Sequence, residues 1–228
     1  MKYLWTEDSG AGLHFWNLAN EYLFDNKLKV ESKNSNQGIL DAVRKLVPES
    51  GDIYYIAFDQ VYDNMDVVNK FIELQHLAAK YPKQIILLDT ICFEYIILSF
   101  YKLIKWTGSG NQTSIRFREE ILNALQDHRI NINQIKDQST LNYLMGFKKF
   151  STERVIKSLT NNLTDTDDWS VRGNLMGDCW HKNCCALANS DKKRCHVDKN
   201  MGRDKIMEIL EDKEMQHIIE KIDFSRIS

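Results

Sequence analysis

The chain has 228 residues, of which 43% are hydrophobic and 27% charged, with a formal net charge of −2. That balance allows a sizeable core in one large domain or in a domain with an appendage, and it gives no global pull toward nucleic acid or anionic membranes. The apolar runs at Ile85–Leu88 and Tyr95–Phe100 are too short to span a bilayer. No signal-peptide pattern precedes Glu7 and Asp8. A cytoplasmic protein with reduced cysteines is expected.

The first hundred or so residues alternate strand and helix. Tyr3-Leu-Trp-Thr6 reads as a strand stopped by Glu7-Asp8-Ser9-Gly10, and Leu13, Phe15, Trp16, Leu18, Ala19, Tyr22 and Leu23 form the apolar face of a helix. Leu28–Ser32 alternates as a strand, Gly38–Val47 has helical spacing, and Pro48-Glu-Ser-Gly51 is a turn by composition. Ile53–Phe58 is a continuous apolar run, as expected of a strand buried on both faces. Val67–Lys80 reads as an amphipathic helix ended by Pro82, and Gln84–Leu88 as a further buried strand. Strands alternating with helices predict a mainly parallel sheet covered on both faces. Beyond residue 92 the spacing predicts helices over Cys92–Trp106, Ser114–His128, Thr140–Phe147, Ser151–Leu163 and Arg203–Lys221, with a linker at Thr107-Gly-Ser-Gly110 and a polar loop at Asn161–Asp168. The expected division is an α/β domain over residues 1–106 and a helical region over 111–228.

In an open parallel sheet, ligands bind at the carboxyl ends of the strands, where strand order switches. Those ends carry acids here: Glu7 and Asp8 after the first strand, Asp59 and Asp63 after the third, Asp89 and Glu94 after the fourth. Taken singly, each acid reads as a turn or cap residue, and Asp8 as the cap of the first helix. Gathered at one edge they would repel one another, and a hard divalent cation relieves that; oxygen ligands suit Mg²⁺ or Mn²⁺.

This order of elements and acids resembles a divergent Toprim domain, the metal-dependent fold of topoisomerases, primases and the nucleases of the overcoming-lysogenization-defect and phage-defence type. The resemblance covers roughly the first hundred residues. It implies that Glu7, in Thr6-Glu7-Asp8, is the family's glutamate and that Asp59 and Asp63 are its paired aspartates. Together they would be the catalytic, Mg²⁺- or Mn²⁺-holding residues. The segment Asp89-Thr-Ile-Cys-Phe-Glu94 resembles the glutamate-bearing stretch that follows the next strand in defence-associated Toprim nucleases. The chain departs from the pattern in placing three residues between Asp59 and Asp63 where the family has one, and in having no glycine directly after Glu7.

Four of the five cysteines fall between Cys179 and Cys195. With His181 and His196 beside them, Cys179, Cys184, Cys185 and Cys195 offer six soft or borderline ligands where a tetrahedral zinc site needs four. A structural Zn²⁺ would pin the polar loop Asn189–Arg194 between the two ligand clusters; reduced thiols without metal are the other reading. The adjacent pairs Cys184–Cys185 and Cys195–His196 cannot easily both face one ion, which favours Cys179, one of Cys184 and Cys185, Cys195 and His181. Basic residues (Lys148, Lys149, Arg154, Lys157, Arg172, Lys182, Lys192, Lys193, Arg194, Lys199, Arg203 and Lys205) concentrate in this half, interleaved with Phe147, Phe150, Trp169 and Trp180. That mixture suits phosphate contact with base stacking, although a solvated face has the same composition. No phosphate-binding G-x-x-x-x-G-K-[ST], G-x-S-x-G or H-E-x-x-H motif occurs. The expected function is metal-dependent cleavage of DNA or RNA, as an effector in phage defence or a mobile element, with nucleic acid and a protein such as an ATPase as partners and no membrane. The alternative is a non-catalytic Toprim-like adaptor that binds a partner protein through its zinc module and apolar helices.

Overall fold

The structure, a computed structural model, describes residues 1–9, 11–164 and 208–222. In chain order its elements are β1 (Lys2–Thr6), α1 (Ala11–Phe24), β2 (Lys29–Ser32), α2 (Asn36–Lys45), β3 (Ile53–Ala57), α3 (Met65–Ala78), β4 (Ile85–Leu87), α4 (Phe93–Ser99) and α5 (Leu103–Thr107). They continue with α6 (Gln112–Ala124), β5 (Leu125–Gln126), β6 (Arg129–Ile130), a 3-10 turn at Ile132–Gln134, α7 (Gln138–Met145), α8 (Thr152–Thr164) and α9 (Lys213–Ile219). The chain divides into two compact units. The first holds Met1–Gln60, Met65–Phe93 and the described residues from Leu210 on; the second holds Val61–Asn64 and the described residues between Glu94 and Ile209.

The first unit is built on a parallel sheet of four strands in the order β2-β1-β3-β4. Thr6 pairs with Ser32 on one side and Ala57 on the other, and Ile56 pairs with Leu87. The chain steps outward from β1 to β2, then returns past β1 to β3 and continues to β4. Right-handed crossovers therefore carry α1 over one face and α2 and α3 over the other, and α2 and α3 do pack together. All five residues of β3 are buried, which explains its unbroken apolar run. The edge strand β2 instead carries Lys29, Glu31 and, just beyond it, Lys33, joined by ion pairs of 2.7 and 2.8 Å. Such charge discourages pairing with another chain.

Local chemistry sets the element ends. Buried Asn20 of α1 donates to the Leu28 carbonyl (2.8 Å) and accepts from the Leu28 amide (3.0 Å), closing a turn in which Asp25 and Asn26 take positive φ. Ser35 caps α2 by accepting from the Gly38 amide at 3.0 Å. Ile39, Leu40 and Val43, on the buried stripe of α2, and Phe15, Trp16 and Leu18 of α1 supply much of the core; each such side chain stabilises by about 1.5–3 kcal/mol. The tail also contributes to this unit, where Leu210, Met215, Ile218 and Ile219 are buried.

Beyond residue 91 the structure corrects three expectations. The apolar stretch expected as one helix over Cys92–Trp106 is two, α4 and α5, separated at Phe100–Lys102. Arg118 on α6 donates to the carbonyls of Leu98 (2.7 Å), Ser99 (3.3 Å) and Phe100 (3.0 Å). Those carbonyls no longer need a continuing helix. The helix expected over Ser114–His128 stops at Ala124, and the chain folds into a β5–β6 hairpin whose turn residues Asp127 and His128 both have positive φ. Such turns favour Asn-Gly, Asp-Gly or Gly-Gly, so with His in place of glycine the pair Asp-His was a weak signal. The expected polar loop from Asn161 begins as the last turn of α8. Among the described residues no helix is long and apolar enough to cross a membrane.

Candidate functional site

The reversal in strand order falls between β1 and β3, and Glu7 and Asp59 lie just past the carboxyl ends of those two strands. This is where an open parallel sheet offers a crevice for ligands. Asn36, the first residue of α2, joins the two acids: its backbone amide donates to Glu7 Oε2 at 3.1 Å. Its side-chain Nδ2 donates to the Asp59 carbonyl at 3.0 Å, and its Oδ1 accepts from the Asp59 amide at 3.1 Å. The Glu7 carboxylate thus sits at the positive end of the α2 dipole, half-buried, while Asp59 is buried.

The surrounding loops are fixed by buried polar groups. Thr6 Oγ1 donates to Asp8 Oδ2 (2.6 Å), and Trp16 Nε1 donates to the same oxygen (2.9 Å). Asp8 thereby ties the β1 exit to α1. Gly12 belongs to this lock, since a Cβ there would lie 2.5 Å from Asp8 Oδ1 and 2.7 Å from Asp8 Cβ. On the other flank the Gln60 amide donates to the carbonyls of Thr90 (3.2 Å) and Ile91 (2.9 Å), and Gln60 Nε2 donates to that of Leu88 (2.6 Å). Thr90 Oγ1 donates in turn to the Phe58 carbonyl at 2.8 Å. The ends of β3 and β4 are held together in this way.

The remaining predicted acids have other employment. Asp89 faces His217 of α9, with Nε2 and Oδ2 3.1 Å apart. Asp63 belongs to the second unit, where its Oδ2 accepts from the Thr152 amide (2.7 Å) and hydroxyl (2.8 Å) at the start of α8. Its Oδ1 is buried without a hydrogen-bond partner among the described residues. Glu94, also in the second unit, lies 3.7 Å from Lys157, which pairs more closely with Glu153 at 2.7 Å. Among the described residues no three His, Cys, Asp or Glu side chains are grouped to hold a metal ion. Of the expected set, the structure links Glu7 with Asp59 through Asn36 and employs Asp63 as a cap of α8 within the second unit.

A pocket of about 500 Å³ lies within the second unit, lined by Asp63, Gln126, Asp127, Arg129, Asn131 and Asn133 among others. None of Glu7, Asn36 and Asp59 borders it, so strand topology and not cavity size locates the candidate site. Of the predicted basic residues, Lys148, Lys149 and Arg154 are exposed. Phe147, expected to stack on bases, packs edge-on against Tyr143 with ring centroids 5.2 Å apart. The zinc ligands expected at Cys179, His181, Cys184, Cys185, Cys195 and His196 lie outside the described residues, as do Trp169 and Trp180.

Asn36, Gln60 and Thr90 were not singled out from the sequence. No sequence signal falls on them, since the helical spacing there begins at Gly38, two residues past Asn36. No family model, curated protein or solved structure matches the chain.

Proposed function

We propose that the first unit is a Toprim-like domain and that the protein is a metal-dependent phosphodiesterase acting on DNA or RNA, as an effector in phage defence or a mobile element. The observation that carries this reading is the placement of Glu7 and Asp59 beyond adjacent parallel strands at the switch in strand order, tied to one another through Asn36. Two carboxylates form an incomplete cage, yet Mg²⁺ at phosphoryl-transfer sites is commonly held by one or two, with water and substrate phosphate completing the shell. Glu7 and Asp59 would hold Mg²⁺ or Mn²⁺. When bound, such an ion polarises the phosphate and lowers the pKa of its water. The chain's own part is to hold the Glu7 carboxylate and the Asp59 backbone beside each other through Asn36. Exposed Lys148, Lys149 and Arg154 supply cations suited to the substrate backbone, and a structural Zn²⁺ on the Cys179–His196 cluster completes the proposal.

Purified full-length protein with Mn²⁺ or Mg²⁺ should nick or degrade at least one of duplex DNA, single-stranded DNA, RNA and tRNA. Glu7→Gln combined with Asp59→Asn should abolish the cleavage. Activity that survives both substitutions would overturn the assignment.

The second reading is a non-catalytic Toprim-like adaptor that binds a partner protein. The employment of Asp63 as a cap of α8 favours it, because that removes one acid from the proposed metal set. Absence of cleavage on all four substrates, together with stable co-purification of a partner such as an ATPase, would select this reading.

A further inference from the structure

Beyond Ala57, β3 runs past the ladder it shares with β1, whose last paired residue is Thr6. The backbone of Asp59 would there lose its neighbour while remaining buried, at 6% exposure. An unpaired buried amide or carbonyl costs about 1–3 kcal/mol. Asn36 removes both costs, because its side-chain amide presents one acceptor and one donor to the Asp59 N–H and C=O at 3.1 and 3.0 Å. It stands in for the peptide group of a strand that has ended. Being a side chain on the first turn of α2, it also makes the Asp59 backbone follow that helix. The Asn36 backbone amide meanwhile holds Glu7 Oε2. One residue therefore ties the Glu7 carboxylate to the backbone that carries Asp59.

We infer that Asn36 is a positioning residue of the cation site: it touches neither ion nor substrate, and it fixes Glu7 and Asp59 relative to each other through three hydrogen bonds. This rests on the cation-binding role given above to Glu7 and Asp59. Residues that orient metal ligands typically contribute about 10–100-fold in metal affinity. Two substitutions separate the contacts. Asn36→Ala removes the hold on Asp59 and keeps the backbone amide that holds Glu7. Asn36→Pro removes both, and proline is well accepted at the first helical position after an extended residue; Ser35 is extended, with φ −174° and ψ 163°.

The test is a titration of full-length protein with Mn²⁺, followed by the electron paramagnetic resonance signal of the free ion, beside thermal unfolding without metal. Asn36→Ala should weaken Mn²⁺ binding about tenfold or more while a cooperative fold is kept, and Asn36→Pro should weaken it further. Unchanged affinity in Asn36→Ala, with wild type binding normally, overturns the positioning role and leaves the cation site standing. Wild type that binds no Mn²⁺ overturns the cation site and the inference with it. Hydrogen exchange of the Asp59 amide in wild type reads the same geometry without a substitution. Protection that rises with Mg²⁺ supports the inference, and protection that is indifferent to Mg²⁺ contradicts it.

Discussion

Substituting Asp63 distinguishes a structural from a ligand role for the residue that the sequence pattern favoured as a metal ligand. Its Oδ2 accepts two hydrogen bonds, 2.7 and 2.8 Å, from the amide and hydroxyl of Thr152. Thr152 is wholly buried, and its Oγ1 also accepts from the Ile130 amide at 2.9 Å. A hydrogen bond to a charged group contributes about 1.5–3 kcal/mol, and an anion at a helix start adds about 0.3–1 kcal/mol. Two donors sharing one oxygen are not additive. Removing the partnerless Oδ1 also relieves a desolvation cost of about 1–3 kcal/mol. The expected net loss for Asp63→Ala is therefore about 2 kcal/mol, with Asp63→Asn intermediate because its amide can still accept one bond. Urea unfolding followed by circular dichroism should show a lower midpoint at unchanged slope. A double-mutant cycle with Thr152→Val should give a coupling of about 1 kcal/mol or more, and the cycle cancels the loss of the Ile130 contact. A loss below about 0.5 kcal/mol for Asp63→Ala, in the range of an ordinary surface change, would refute the capping role. Lost Mn²⁺ affinity at unchanged stability would restore Asp63 as a ligand.

Gly12→Ala should destabilise by about 2 kcal/mol, because its Cβ would displace Asp8 from Trp16 and Thr6; thermal unfolding checks this, and Asp8→Ala should relieve part of the loss in the double variant. Burial raises the pKa of Glu214 above the ordinary 4.5, reinforced by Asp89 and Asp212 and opposed by His217 and Lys213. The folded state then keeps a proton that the unfolded chain has released, so this contribution is complete below pH 4.5 and is lost as pH rises through the higher folded value. Glu214→Gln should accordingly raise stability at neutral pH and flatten the decline between pH 4.5 and the higher folded value, measured as unfolding midpoint against pH; an unaltered profile would count against the raised pKa. For the Cys179–His196 cluster, elemental analysis should find about one zinc per chain, and Cys179→Ser or Cys195→Ser should lower both zinc content and melting temperature. Protein purified without chelator and free of zinc would leave these as reduced thiols.

The sequence by itself determined what depends on local periodicity and on solvent. The unbroken run Ile53–Phe58 reads as a strand covered on both faces, and β3 is one. The alternation of strands with helices through Leu88 predicted the parallel α/β class. The acids after β1 and β3 were also legible, because polar residues end an apolar strand, although the burial of Asp59 was not. Contacts between residues distant along the chain were left to the tertiary structure. Arg118 ends α4 by reaching carbonyls eighteen to twenty residues away, so an apolar stretch that reads as one helix becomes two. Asp127 and His128 take positive φ although neither is glycine, because the β5–β6 pairing demands a tight turn there. Asp63 and Asp59 are both carboxylates one turn signal apart in the sequence. One meets the first residue of α8, eighty-nine positions on, and the other meets Asn36, twenty-three positions back. Side-chain hydrogen bonding of this kind has no periodicity to read, since it depends on which buried donor the folded chain brings within about 3 Å.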